Sequence, residues 1–166
     1  MNRIIVNTLS FSRVFFGLLF LIVAIFDFNI AYLIIIYALG IVSDILDGYL
    51  VRKYDLVVEN GSKIDVVCDF LLIIFSTFAV VLIDLAPSWF LLIIILKLIE
   101  FFATSGRGSL KYDRFGTYVA YMFFAFPIVA ILINSKNISL ILTIIITVCA
   151  ITSSILRIKN MRELND

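Results

Sequence analysis

Asp44, Asp47, Asp65 and Asp69 fall within one stretch, SDILDGYLVRKYDLVVENGSKIDVVCDF, residues 43–70, where their neighbours are mostly Ile, Leu, Val and Phe. The stretch carries half of the chain's 12 acidic residues. On a helix Asp44 and Asp47 are i, i+3; Gly48 and Val51 continue their face, with Arg52 at its edge. Gly61, Asp65 and Asp69 then recur at i, i+4 and share a face of their own. Carboxylates among apolar residues cost a few kcal/mol each on membrane-insertion scales and mark functional positions by default. Four ionised carboxylates together also repel, so a counter-charge is required. A hard divalent cation supplies one through oxygen ligands, and Mg²⁺ typically combines carboxylates with substrate phosphates. Two such ions side by side clamp the attacking and leaving oxygens of a phosphoryl transfer.

Plainer readings of the same residues account for only part of the pattern. Asp55 and Glu59 read as solvated loop charges. Ser62-x-x-Asp65 has the form of a capping box, so Asp65 alone is compatible with a helix start. Capping leaves Asp69 unexplained, a full turn further on, as it does Asp44 and Asp47 at the inner end of a helix. The chain has no histidine, which excludes an imidazole base and every His-ligated metal site. Cys68 and Cys149 sit singly in apolar runs and read as small core residues, with no disulfide or zinc pattern.

The elements that must hold these side chains are membrane helices. Of 166 residues 63% are hydrophobic and 15% charged, against about 45–50% and about 25% in soluble domains. The expected fold is an all-α integral membrane protein with a single domain over residues 1–166. At roughly 20 apolar residues per span, six helices are predicted, at about 9–28, 30–51, 63–83, 88–104, 115–133 and 138–156. A short interfacial segment precedes them, and the weak basic start without a cleavage site is not a removable signal. Under this scheme all of the 13 Lys and Arg residues except Lys97 and Lys136 fall on one side. The positive-inside rule puts both termini and the long loops 52–62 and 105–114 in the cytoplasm. Asp44 then lies roughly 12 Å deeper than Arg52, and Asp69 roughly 10 Å inside a helix starting at Ser62, at about 1.5 Å per residue. The two acidic faces reach similar depths and are placed to meet.

Written out, the stretch is Asp44-x2-Asp47-Gly48-x2-Val51-Arg52-x8-Gly61-x3-Asp65-x3-Asp69. It resembles the signature of the class I CDP-alcohol phosphotransferases (CDP-alcohol phosphatidyltransferases), D-x2-D-G-x2-A-R-x8–9-G-x3-D-x3-D. Val51 replaces the usual Ala beside the nucleotide and removes no chemical group. Asn7-Thr8-Leu9-Ser10-Phe11-Ser12-Arg13 is similar to the family's N-x-L-[ST]-x-x-R entry to its first helix. Six helices with cytoplasmic ends fit the family as well.

The resemblance implies roles. Asp44, Asp47 and Asp65 hold metal, and Asp69 is both a ligand to a second ion and the general base. The ions are Mg²⁺ or Mn²⁺. Gly48 and Gly61 let a CDP group approach the backbone. Arg52 pairs with the diphosphate, as its planar fork suits phosphate oxygens. Asn7 and Ser10 contribute on the nucleotide side. The implied reaction moves a phosphatidyl (or archaeal-lipid phosphate) group from CDP-diacylglycerol or a CDP-archaeol-type lipid to a small alcohol, releasing CMP. A homodimer in a prokaryotic cell membrane, its active site facing the cytoplasm and no nucleic acid involved, completes the expectation.

The acceptor is less legible. SGRGSLKYDRFGTYVAY offers Arg107, Lys111 and Arg114 for a phosphorylated acceptor such as glycerol-3-phosphate, and Arg13 is a further candidate. The same cations also satisfy positive-inside topology. Glycerophosphate enzymes often carry a G-K-x-K-T-like segment here; Gly116-Thr117 keeps the glycine and lacks the lysine. Inositol phosphate, serine and a free polyol are the alternative acceptors. Lys97 and Glu100, i, i+3 in the fourth span, read as an ion pair facing the bundle or a partner copy, or else as acceptor-pocket lining. A cation transporter is the reading from another class. It would call for broken helices or paired halves near the midplane, whereas the acids here gather near one face.

Overall fold

A computed structural model describes residues 3–26, 29–53, 61–104 and 114–163. Side chains are described for most of these; those of residues 3–9, 47, 50–52, 61–63, 114 and 159–163 are not. The described residues form six α-helices and no strand: α1 (Arg3–Phe26), α2 (Ile30–Lys53), α3 (Gly61–Leu82), α4 (Trp89–Thr104), α5 (Arg114–Ile133) and α6 (Lys136–Glu163). Every predicted span has its helix. The first and last run beyond their predicted ends, α1 back to Arg3 and α6 on to Glu163. Segments Ile64–Leu82, Phe115–Ile133 and Lys136–Ile158 are each long and apolar enough to cross a membrane.

The chain divides into two compact units, Met1–Ile83 and Asp84–Asp166. In the first, α1 packs on both α2 and α3. Its buried face is Ser10, Arg13, Gly17, Phe20 and Ala24, spaced by three and four residues as one helical stripe. Phe11, Phe15, Leu18 and Ile22 point outward, as apolar side chains do where lipid is the solvent. Gly17 sets the closeness of α1 to α3. A Cβ there would meet the Leu72 Cα at 3.2 Å and the Phe75 ring at 3.2 Å. On α2, a Cβ at Gly40 would come within 3.2 Å of the Leu72 side chain. Ser12 and Ser43 share a hydrogen bond of 2.6 Å between α1 and α2, and Phe20 meets Tyr37 edge-on at 5.6 Å one layer deeper. Small residues and hydroxyls at helix contacts suit a membrane bundle, where burial of apolar surface gives no drive for association.

In the second unit Phe90 of α4 packs against Phe126 and Phe123 of α5 at 4.8 and 5.9 Å. The link from α5 to α6 is two residues, with Asn134 in the left-handed region (φ 46°) as Asn tolerates at a helix end. Asp84 (φ 61°) pairs with Lys136 at 2.5 Å, which puts the breaks before α4 and before α6 at the same end of this unit. The predicted Lys97–Glu100 pair forms at 3.0 Å. It also has partners the sequence did not suggest. Lys97 Nζ donates to Ser154 Oγ (3.1 Å) and Ser153 Oγ (3.3 Å) of α6, and Ser154 Oγ donates to Glu100 Oε2 (2.5 Å). The cluster is an interhelix clamp.

Candidate active site

Asp44 is carried by α2, and Asp65 and Asp69 by α3 one turn apart. α3 begins at Gly61, so Ser62 is already helical and Asp65 lies a full turn inside. Asp65 therefore does not act as the third residue of a capping box. Its Oδ1 instead accepts a hydrogen bond from the Ser10 hydroxyl of α1. Two consecutive helices thus bring three of the four aspartates to one place, as the face analysis requires.

Arg13 of α1 stands at the centre of that place. Its Nη1 reaches Asp44 Oδ1 at 2.9 Å and also Asp69 Oδ1, while Nη2 donates to Asp65 Oδ1 at 3.1 Å. Arg13 is completely buried, whereas the side chains of Asp44, Asp65 and Asp69 are 47%, 32% and 23% exposed. The guanidinium is a floor and the carboxylates open away from it. Its reach follows from Gly17, one turn along the same face, where α1 and α3 touch. A guanidinium suits the position because a planar fork serves several carboxylate oxygens at once and stays charged.

Arg13 was a candidate for acceptor binding in the sequence, and the structure places it beneath the acids. The signal was present in the spacing: Ser10, Arg13 and Gly17 are i, i+3, i+7, with two small residues flanking a charged one. Gly48 lies on α2 a turn beyond Asp44 and is partly buried. Gly61 heads α3, and Arg114 heads α5. The side chains of Asn7, Asp47, Arg52 and Arg114 lie outside those described, and Arg107 and Lys111 lie outside the described residues.

The gathered donors are carboxylate oxygens, which suit a hard divalent cation such as Mg²⁺ or Mn²⁺. Among the described residues no three acidic or thiol side chains yet share an ion-sized centre. Arg13 holds one oxygen of each aspartate, and no described hydrogen bond reaches the second oxygens. The chemistry of the donor set fits the ion.

The model of the CDP-alcohol phosphatidyltransferase family matches residues 3–154, nearly the whole chain. The chain belongs to this family. Membership and the long apolar helices together make it a membrane protein. A curated relative from Bacillus subtilis (strain 168), named CDP-diacylglycerol--glycerol-3-phosphate 3-phosphatidyltransferase, is 36% identical over 73 residues. That match covers 44% of this chain and 37% of the relative, so the chain spans just over a third of that protein's length.

Proposed function

We propose that the chain transfers a phosphatidyl (or archaeal-lipid phosphate) group from a CDP-linked lipid to a small alcohol and releases CMP. The observation that carries this reading is the meeting of Asp44, Asp65 and Asp69 from two helices at one partly open point. Glycerol-3-phosphate is the proposed acceptor, supported by the name of the Bacillus subtilis relative. The family match runs through both compact units, which supports one domain over 1–166. The distribution of Lys and Arg supports a site facing the cytoplasm, where the water-soluble acceptor and CMP come and go. A homodimer in a prokaryotic membrane is the expected assembly.

Asp69 takes the proton of the acceptor hydroxyl. The acceptor oxygen bonds to the lipid-side phosphorus, and the bond from that phosphorus to the bridging oxygen breaks, leaving the electron pair on CMP. Asp69 is the least exposed of the three described aspartates, which keeps the transferred proton from bulk water. Arg52 holds the diphosphate and takes up charge on the departing CMP, while Gly48 and Gly61 leave room for the nucleotide beside the backbone. Asn7 and Ser10 flank it. Asp44, Asp47, Asp65 and Asp69 would hold the divalent ions, which supply positive charge against the phosphates. Arg107, Lys111 and Arg114 are the proposed contacts for the acceptor phosphate. Positioning and electrostatics provide most of the acceleration in phosphoryl transfer, and a carboxylate base suits a chain without histidine.

The test is CMP release by purified protein given Mg²⁺ or Mn²⁺, CDP-diacylglycerol and a panel of acceptors: glycerol-3-phosphate, inositol phosphate, serine and free polyols. Metal-dependent CMP release with glycerol-3-phosphate is expected. Release with another acceptor alone corrects the substrate, and no release with any acceptor or CDP-lipid sinks the reaction.

A further inference from the structure

The geometry points to Arg13 as a positioning residue for the metal site: we infer that it holds one oxygen of each of three aspartates from behind and leaves the second for the ion. The inference rests on the proposed metal-dependent reading. Three observations support it. The described contacts of Arg13 with Asp44, Asp65 and Asp69 are each to an Oδ1, so one guanidinium fixes the rotation of three carboxylates on two helices. Arg13 is wholly buried while its partners are a quarter to a half exposed, so a cation arriving from the open side meets carboxylate before arginine. The Ser10 hydroxyl, also buried, reinforces the same oxygen of Asp65 from α1. Hydrogen bonds to ligating carboxylates of this kind orient the ligands, and losing one typically costs about 10–100-fold in metal affinity.

Arg13 also offsets part of the charge. Without it no described cation would offset the three carboxylates before an ion arrived. The arrangement gives α1 a purpose in the site, although it contributes no carboxylate of its own.

Mn²⁺ binding to the purified full chain, followed by the electron paramagnetic resonance of free Mn²⁺ without substrate, tests the inference. Arg13→Gln is expected to weaken binding about 10–100-fold, and Arg13→Lys, which keeps the charge and loses the fork, to recover part of it. Ser10→Ala is the milder variant and keeps the test usable should Arg13→Gln fail to fold; a several-fold loss of affinity is expected. A folded Arg13→Gln protein that binds Mn²⁺ as wild type does would overturn the inference, as would unchanged affinity in Ser10→Ala. Tighter binding by Arg13→Gln would overturn it in a different way, because the arginine would then be competing with the ion. CMP release by the wild type separates the two levels. Turnover with unaltered Mn²⁺ affinity in the variants removes only the positioning role, whereas wild type that neither binds Mn²⁺ nor turns over removes the reading beneath it.

Discussion

Each of the two units buries a cation among apolar helices, and the two settings differ in charge balance. In the second unit Lys97 meets Glu100, one charge against one, with Ser153 and Ser154 closing the network. Both side chains are under a fifth exposed. In the first unit Arg13 meets Asp44, Asp65 and Asp69, one described cation against three carboxylates, and the acids open outward. A balanced, closed pair offsets its own charge and ties α4 to α6. An unbalanced, open cluster keeps affinity for further positive charge. Buried ions alone therefore do not distinguish the two units; among the described residues, the excess of carboxylate at an opening does.

The strongest way to break that contrast is Asp69→Asn. Loss of a general base should lower CMP release by about 10²–10⁴-fold while CDP-lipid binding persists; a fall of less than tenfold would remove Asp69 from the base role. The Lys97 clamp should respond through stability instead. Lys97→Met strands a buried carboxylate, and about 3–5 kcal/mol of unfolding free energy should be lost. Lys97→Met with Glu100→Leu should recover most of it in a denaturant titration. A double variant as unstable as the single would show that the pair does not act as a unit. Gly17→Ala comes next, at about 1–3 kcal/mol for a methyl group pressed against the α3 backbone. An unchanged melting point would mean that α1 and α3 separate freely. Lys136→Ala marks the bottom of the scale. Its pair with Asp84 is exposed on both sides, so under about 0.5 kcal/mol is expected. A larger loss would make that end of the unit a second anchoring point.

Much of this was legible because membrane helices are long apolar runs and their polar breaks are sharp. The two acidic faces were legible too, since i, i+3 and i, i+4 spacing fixes a face before any partner is known. What escaped was which third helix covers those faces. Arg13 offered a charge and a place near the membrane edge, and topology or acceptor binding explained both. Its burial against Asp44, Asp65 and Asp69, where Gly17 brings α1 close to α3, shows that the arginine points inward. The Lys97–Glu100 pair was local and readable; Ser153 and Ser154, more than 50 residues away, were not. Ser62-x-x-Asp65 failed as a capping box because α3 already starts at Gly61, ahead of the serine that would have capped it.

The i, i+3 placement of Lys97 and Glu100 bears on biosynthesis as well as on packing. A Lys or Asp alone at the middle of a helix costs about 2.5–3.5 kcal/mol on the insertion scale. α4 leaves the ribosome well before α6, so Ser153 and Ser154 are not yet available to it. With both charges on one helix face, α4 brings its own counter-ion before any other helix can supply one. The serines of α6 then dock onto a pair that already exists. In the sequence no Lys or Arg stands three or four residues from any of the aspartates of α2 and α3, and it is α1, synthesised before them, that is waiting with Arg13.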